Sequence, residues 1–258
     1  MTDTPTEPPV LLTIADGVAH IELNRPQAFN AFSTELGDAL YEAVRTSYDD
    51  PDVKVILLSG RGRAFCGGGD VKLMAAAEDP GAEVRAMADS VHRGVQALAE
   101  CGKTVIAAVH GSAAGGGLGL LCSADLVLAG ASAKFVAAYA GIAVTPDCSL
   151  SWGLPRIVGE RRALEMVLLN RPIDAATALD WGLVNQVHAD DGVLAEGLAL
   201  AQRLAASPAA TALAASRRLI RDAAHRNLAE HLVVEAASIA HHVNLPESRE
   251  LVQAFARK

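Results

Sequence analysis

The sequence predicts an α/β core followed by a helical C-terminal portion. In the first half of this 258-residue chain, short apolar runs typical of buried strands alternate with segments whose apolar residues recur at helical spacing. After about residue 148 the pattern becomes almost wholly helical. Hydrophobic residues make up 51% of the chain and charged residues 20%, which is enough apolar material for a sizeable core.

The strands and helices of the first half follow one another in a regular order. Residues 17–24 (GVAHIELN) alternate as a half-buried strand does, and Arg25-Pro26 ends that strand. The segments predicted next are a helix over 33–48, a strand over 53–59, a helix over 82–99 and strands over 104–110, 126–129 and 133–136.

The second half predicts helices separated by proline and glycine. Their ranges are 161–170, 174–180, 192–206, 208–222 and 226–242, and the breaks fall at Pro172, Gly182, Pro208 and Pro246. No Gly/Ser-rich linker separates this portion from the first half. We expect three parts of the chain, which are a polar, Pro-rich disordered tail (residues 1–9), an α/β core (10–200) and a C-terminal helical region (201–258).

Charge and composition exclude several classes of protein. The formal net charge is -8 and no basic face is visible, so we expect no nucleic-acid partner. No apolar run is long enough to span a bilayer and the N-terminus does not resemble a signal peptide, so we expect no membrane partner and a cytoplasmic location. The four cysteines form no C-x-x-C motif and lie at no metal-ligand spacing from a histidine, so we predict reduced thiols and no metal site.

Two glycine clusters occur in the same structural context. Residues 67–69 follow the predicted strand 53–59, and residues 115–117 follow the predicted strand 104–110. When a glycine cluster connects a strand to the start of a helix, the first backbone N–H groups of the helix are unpaired and can point at a ligand. The dinucleotide, P-loop and nucleophile-elbow patterns are all unmatched. Two uses remain open, which are close helix–strand packing and an oxyanion hole with one donor from each cluster.

Several long stretches of the chain are similar to one known family. They are HIELNRPQAFNAF (20–32), GRGRAFCGGGDVK (60–72), VIAAVHGSAAGGGLG (105–119), SADLVLAGASAKF (123–135), WGLPRIVGERRALEMVLLNRPIDAATALDWGLV (152–184) and VQAFARK (252–258). The chain thereby resembles the crotonase superfamily, the enoyl-CoA hydratases and isomerases. The resemblance implies a crotonase-like spiral of ββα units with a helical C-terminal trimerisation region. It also implies homotrimers or hexamers and an acyl-CoA substrate, with no separate cofactor because coenzyme A is part of the substrate.

The resemblance also implies positions for the binding groups. The thioester oxygen would lie between the backbone N–H groups of Gly69 and Gly116. Contacts to coenzyme A would come from Arg25, Ala28, Ala64, Gly67, Asp70 and Val71 in the segments 25–31 and 64–72, and from Phe255 and Lys258 of a neighbouring subunit.

Both glutamates that hydration uses in this family are absent here. Their positions are occupied by Gly119, which has no side chain, and by Tyr139, which is a poor base with an ordinary pKa of about 10. The sequence therefore does not predict ordinary hydratase activity, although a hydratase in name is one alternative.

One carboxylate, Asp147, matches the place where some isomerases of the family carry their working Asp. A single acid/base suffices for a double-bond shift, in which Asp147 would move a proton between the α- and γ-carbons of the acyl chain. We expect Ile142, Val144, Leu150 and Trp152 to give it a buried apolar setting. The alternative is an N-cap of a short helix in CSLSWGL.

Two further hypotheses remain. In a dehalogenase of this superfamily the Asp is a nucleophile and a His activates water, and His92 falls at the corresponding position. Tyr139 and Gly69 replace aromatic residues of that enzyme, and His92 could equally be a partly exposed helix residue beside Arg93. The last hypothesis is a non-catalytic acyl-CoA-binding scaffold.

Overall fold

The computed structural model describes residues 7–257 and contains two sheets flanked by helices. The strands are β1 (Val10–Ala15), β2 (Val18–Leu23), β3 (Val55–Gly60), β4 (Thr104–Val109), β5 (Ser112–Ala114), β6 (Leu126–Gly130), β7 (Lys134–Val136), β8 (Ile173–Asp174) and β9 (Gln186–His188). The helices are α1 (Thr34–Asp49), α2 (Val71–Ala76), α3 (Pro80–Glu100), α4 (Gly116–Leu121), α5 (Leu150–Val158), α6 (Glu160–Leu169), α7 (Ala175–Asp180), α8 (Val193–Ala205), α9 (Ala210–Asp222), α10 (Leu228–His242) and α11 (Pro246–Ala256).

The larger sheet has the order β1-β2-β3-β4-β6-β9, and only β1 runs antiparallel to its neighbour. Every residue of β3 is buried, as expected for a central parallel strand covered on both faces. Alternate residues of β3 point to opposite faces, so Ile56 packs in the main core while Leu57 packs against α8. Helices α1 and α3 pack together over the main core. The smaller sheet, β5-β7-β8, lies beside the glycine-rich segment of α4.

The predicted strands and helices are all present, with ends within a few residues of the predicted ones. The statement that the chain is almost wholly helical after residue 148 is wrong at β8 and β9, which have two and three residues. Strands this short contain too few residues to display alternation. Strand β9 nevertheless extends the larger sheet by pairing with β6.

The core begins slightly earlier and ends slightly later in the chain than the predicted boundaries at residues 10 and 200. Helix α8 is continuous across residues 200–201 and packs on the larger sheet, so the core extends to about its last residue. Residues 1–6 of the predicted tail lie outside the described residues, whereas Pro8 and Pro9 accept hydrogen bonds from Asn24. Within residues 7–257, no helix combines the length and the apolar character needed to cross a membrane.

Helix α9 is attached to the core by a partly buried ion pair network. The Asp125 carboxylate, at the start of β6, accepts from Arg217 Nε at 2.6 Å and from Arg221 Nε at 2.8 Å. The same carboxylate accepts the backbone N–H of Val105. Paired in this way, the partly buried charges are satisfied and fix α9 against the sheet.

Beyond α9, the apolar side chains of the last helices are exposed. On α10, Leu228, Leu232, Val233 and Ile239 all face outward, and Phe255 on α11 is 81% exposed. The apolar stripe of α10 is therefore not part of the core of this chain. A trimerisation region remains a prediction.

Candidate active site

The first glycine cluster forms a bridge to the segment that precedes α1. Phe32 donates its N–H to the Gly68 carbonyl at 2.7 Å, and Asp70 donates to the Phe32 carbonyl at 3.0 Å. In this alternating pattern the N–H of Gly69 points away from Phe32 and has no acceptor among residues 7–257. Gly69 is thus free to donate to a ligand.

The second cluster supplies a matching donor. Gly116 is the first residue of α4, so its N–H has no partner inside the helix, and none is found elsewhere in the described chain. The two clusters touch, because a Cβ placed on Gly68 would lie 3.3 Å from the Gly116 nitrogen. Two free N–H groups on contacting loops are the donors that an oxyanion hole would need, and that role remains a prediction.

Backbone conformation explains the glycine before Gly116, and packing explains the glycine after it. Gly115 has a φ of +52°, in the region that favours glycine. A Cβ on Gly117 would lie 2.5 Å from the Cys66 carbonyl oxygen. The packing use is therefore present at Gly117, while the oxyanion use of Gly116 remains a prediction.

Asp147 lies in the loop before α5 and is held by a tyrosine. The buried Tyr139 hydroxyl donates to Asp147 Oδ1 at 2.6 Å. Burial and the neighbouring carboxylate raise the pKa of Tyr139 well above its ordinary value, so the hydroxyl keeps its proton. Tyr139 is therefore a hydrogen-bond donor to Asp147 and not a base.

The N-cap interpretation of Asp147 is wrong. Helix α5 begins after Ser149, and the Asp147 side chain accepts no backbone N–H of that helix. Cys148 and Ser149 have φ values of +49° and +67°. These two residues separate Asp147 from the first turn of α5, so its side chain does not cap the helix. Left-handed conformations are uncommon for both residue types and cost free energy, which is typical of functional sites.

Neighbouring helices hold this strained turn. The backbone N–H of Cys148 donates to His92 Nε2, on α3, at 3.1 Å. The Ser149 hydroxyl donates to the Gly119 carbonyl, on α4, at 3.2 Å. Asp147 is therefore fixed between the helix that starts at Gly116 and the helix that carries His92.

The expected apolar setting of Asp147 is only partly present. Leu150 is fully buried, whereas Ile142, Val144 and Trp152 are about half-exposed in this chain. The expectation is wrong for these three residues because they lie on the outer side of the loop and of α5. The Asp147 side chain itself is 36% exposed.

The backbone of Cys148 closes the position where the family's first glutamate would stand. A Cβ on Gly119 would collide with the Cys148 carbonyl oxygen. No side chain, and so no glutamate, fits at residue 119 unless the turn moves. The sequence could not show this contact because it joins residues far apart in the chain.

The turn also brings His92 and Cys148 close to Asp147. His92 Nε2 lies 3.9 Å from Asp147 Oδ2, and donor atoms of the three side chains all lie within 4.8 Å of one another. Sequence analysis missed Cys148 as a site residue because its left-handed conformation is unusual for cysteine. All four cysteines of the chain are free and buried.

The residues expected at coenzyme A occupy two adjoining segments. Arg25 forms an ion pair with Asp70 at 3.0 Å, and Asp70 also caps α2 by accepting the N–H groups of Lys72 and Leu73. The two segments are further joined by the bond from Gly67 N–H to the Phe29 carbonyl.

The other residues expected at coenzyme A differ in their surroundings. Ala64 is buried, Ala28 is half-buried and Val71 is exposed. Phe255 instead lies on α11, and Lys258 lies outside the described residues. The coenzyme A contacts of all these residues remain predictions.

Comparison with known proteins identifies the family. The family model described as enoyl-CoA hydratase/isomerase matches residues 13–258. The chain belongs to the enoyl-CoA hydratase/isomerase family. The resemblance inferred from sequence is thereby confirmed, and an acyl-CoA substrate is consistent with this family.

Relatives of differing activity are similar to this chain. It is 36% identical over 204 residues to the 1,2-epoxyphenylacetyl-CoA isomerase of Escherichia coli, covering 77% of each chain. It is 37% identical to 4-chlorobenzoyl coenzyme A dehalogenase-2 of Arthrobacter, covering 75% of this chain and 71% of the relative. An enoyl-CoA hydratase structure from Polaromonas superimposes with a TM-score of 0.90 at 30% identity, covering 96% of each chain. The crotonase fold is confirmed, while the names do not select one reaction.

Proposed function

We propose that this protein is an acyl-CoA isomerase that shifts a double bond through a thioester enolate, with Asp147 as the single proton shuttle. The observation that carries the proposal is the hydrogen bond from Tyr139 to Asp147 Oδ1, which orients one carboxylate and leaves Oδ2 free. Asp147 directly precedes Cys148, whose Sγ would lie 3.0 Å from a Cβ on Gly116, so the candidate base is next to a candidate oxyanion donor.

The proposed reaction needs only these groups. Asp147 removes the α-proton of a β,γ-unsaturated acyl-CoA, and the electron pair moves into the thioester oxygen as a dienolate. The N–H groups of Gly69 and Gly116 stabilise that negative charge, and each such donor contributes about 3 kcal/mol in a dry site. The protonated Asp147 then returns the proton at the γ-carbon, so no atom is gained or lost overall.

Hydration is disfavoured by the same geometry. It requires a second acid/base to manage the water, and Gly119 and Tyr139 supply none. Gly119 is closed by the Cys148 backbone, and Tyr139 already donates to Asp147. The Escherichia coli relative is named a 1,2-epoxyphenylacetyl-CoA isomerase, which supports isomerisation as a class without selecting a double-bond shift.

A hydrolytic reaction of the dehalogenase type is the second candidate. It is favoured by the 3.9 Å separation of His92 Nε2 from Asp147 Oδ2, which would allow a nucleophilic Asp and a water-activating His. Against it, His92 Nε2 already accepts the backbone N–H of Cys148.

Product analysis in deuterated water separates the candidates. The protein would be incubated with β,γ- and α,β-unsaturated acyl-CoAs, with 1,2-epoxyphenylacetyl-CoA and with 4-chlorobenzoyl-CoA. The proposal expects double-bond isomers that carry deuterium and no 3-hydroxyacyl product. Hydration products or chloride release would contradict it, and binding without exchange would indicate a scaffold.

A further inference from the structure

The geometry points to a metal-binding site for a divalent transition metal such as Zn²⁺, formed by His92 Nε2, Asp147 Oδ2 and Cys148 Sγ, in which the ion sequesters the candidate base. The three donors come from α3 and from the strained turn before α5. Their donor atoms all lie within 4.8 Å of one another.

The donor set has the chemistry that zinc prefers. Imidazole nitrogen, carboxylate oxygen and thiolate sulfur are its usual protein ligands, at about 2.0–2.3 Å from the ion. Three protein ligands and one open position describe a tetrahedral site that keeps a water molecule. A hard cation such as Mg²⁺ would not select a thiolate and an imidazole.

The donor atoms, which lie within 4.8 Å of one another, must draw together by up to about 1 Å to hold one ion. Tetrahedral ligands at these bond lengths lie about 3.3–3.7 Å apart, and the His92 Nε2 to Asp147 Oδ2 separation is 3.9 Å. The two side chains are also partly exposed, at 45% and 36%, so an ion can reach them from solvent. Cys148 then forms the buried side of the site.

Metal binding costs the turn one hydrogen bond, because the Cys148 N–H loses its acceptor on His92. His92 Nε2 gives up the hydrogen bond from the Cys148 N–H and uses the same lone pair for the ion. The Cys148 thiol loses one proton to solvent, so one proton is released for each ion bound. Tyr139 continues to donate to Asp147 Oδ1, an outer contact of the kind that orients a metal-ligating carboxylate.

Binding has a consequence for catalysis that rests on the proposed function. An ion on Oδ2 occupies the oxygen that would move the substrate proton. We therefore expect Zn²⁺ to inhibit isomerisation, and removal of the ion by a chelator to restore it.

The test uses Co²⁺ as a spectroscopic probe of the untagged full chain under reducing conditions. We expect one Co²⁺ per chain with a thiolate-to-cobalt charge-transfer band, which Zn²⁺ abolishes by displacement. Cys148→Ser should lose the band, and His92→Gln should weaken metal affinity at least about tenfold. The matched controls Cys101→Ser and His188→Gln should bind as the wild type does.

The outcomes are distinguishable from those of the proposed function. Absence of the band, its persistence in Cys148→Ser, or wild-type affinity in His92→Gln would overturn the metal site. If Cys148→Ser does not fold, His92→Gln still tests the metal site. Residue 92 is exposed on α3, so we expect this variant to fold. Metal binding without isomerase activity would overturn only the proposed function. Isomerase activity without metal binding would overturn only this inference.

Discussion

The hydrogen bond from Tyr139 to Asp147 shows how one side chain can fix the geometry of another. Its 2.6 Å length and its burial restrict the carboxylate to one orientation. Tyr139 occupies a position that carries a glutamate in hydratases of this family, and here it donates to the one remaining carboxylate. We therefore expect Tyr139 to act as a positioning residue for Asp147.

Tyr139→Phe removes this donor and retains the ring. A hydrogen bond to a charged group contributes about 1.5–3 kcal/mol, so we expect kcat to fall roughly tenfold to a hundredfold with KM nearly unchanged. Steady-state kinetics of isomerisation measure both parameters. Tyr48→Phe, at an exposed tyrosine of α1, is the control and should leave both unchanged. An unchanged kcat in Tyr139→Phe would show that Asp147 needs no orienting partner.

The close approach of the Cys148 backbone to Gly119 leaves no room for a side chain at residue 119. Gly119→Ala adds a Cβ that meets the Cys148 carbonyl oxygen, and relief requires movement of the strained turn. We expect the free energy of unfolding to fall by about 1–3 kcal/mol. Urea denaturation measures this change. In the control Gly81→Ala, the added methyl meets only the Asp79 side chain, which caps α3, and no backbone atom, so its loss of stability should be smaller than that of Gly119→Ala. Wild-type stability of Gly119→Ala would contradict the closed position.

Helix α4 connects the packing of the glycines with their proposed chemistry. Its first residue, Gly116, presents an N–H at the helix N-terminus, where the helix dipole favours negative charge. Proline is tolerated at a first helical position, because that N–H has no intrahelical acceptor. Gly115 before it has no Cβ to clash with the ring.

Gly116→Pro and Gly116→Ala together isolate the N–H group. Both add a Cβ that approaches Cys148 and Phe32, but only proline removes the donor. We expect Gly116→Pro to turn over about 10² times more slowly than Gly116→Ala. Equal turnover by two folded variants would show that Gly116 is not an oxyanion donor.

The sequence predicted the elements with the most regular patterns, and the elements that it missed include β1 and α11, which are of ordinary length, as well as the short strands β8 and β9. Helices such as α1 and α3 display a full apolar stripe, and the buried strands β3 and β4 are continuous apolar runs. Strands β8 and β9 exist because of partners distant in sequence, which a local pattern cannot show.

The same limit applies to the site. The glycine clusters and Asp147 could be located from the sequence because family motifs carry them, while their roles remain predictions. The Cys148–Ser149 turn could not, since neither residue type favours positive φ. Its contacts with His92 and Gly119 bridge 56 and 30 residues of chain.

For the whole molecule, the exposed apolar side chains of α10 and α11 require an explanation. Val233 and Ile239 are 70% and 72% exposed, and large exposed apolar patches mark interaction sites. We expect these helices to be buried in an assembly whose subunit number is a multiple of three.

Sedimentation velocity at micromolar concentration tests this expectation. The wild type should sediment as a trimer or hexamer and should persist at high salt, because apolar contacts are not screened. Val233→Asp, which places a charge in the apolar patch, should shift the distribution towards monomer. A stable wild-type monomer would contradict the predicted assembly.

The most direct test of the proposed mechanism is exchange of acyl protons for deuterium by Asp147→Asn. The substitution keeps the shape of the side chain, and because Asp147 caps no helix we expect little change in stability. Exchange and isomerisation of a β,γ-unsaturated acyl-CoA in deuterated water should both fall by about 10² to 10⁴, with acyl-CoA affinity near that of the wild type. Wild-type exchange by a folded Asp147→Asn protein would contradict the account and would direct attention to His92.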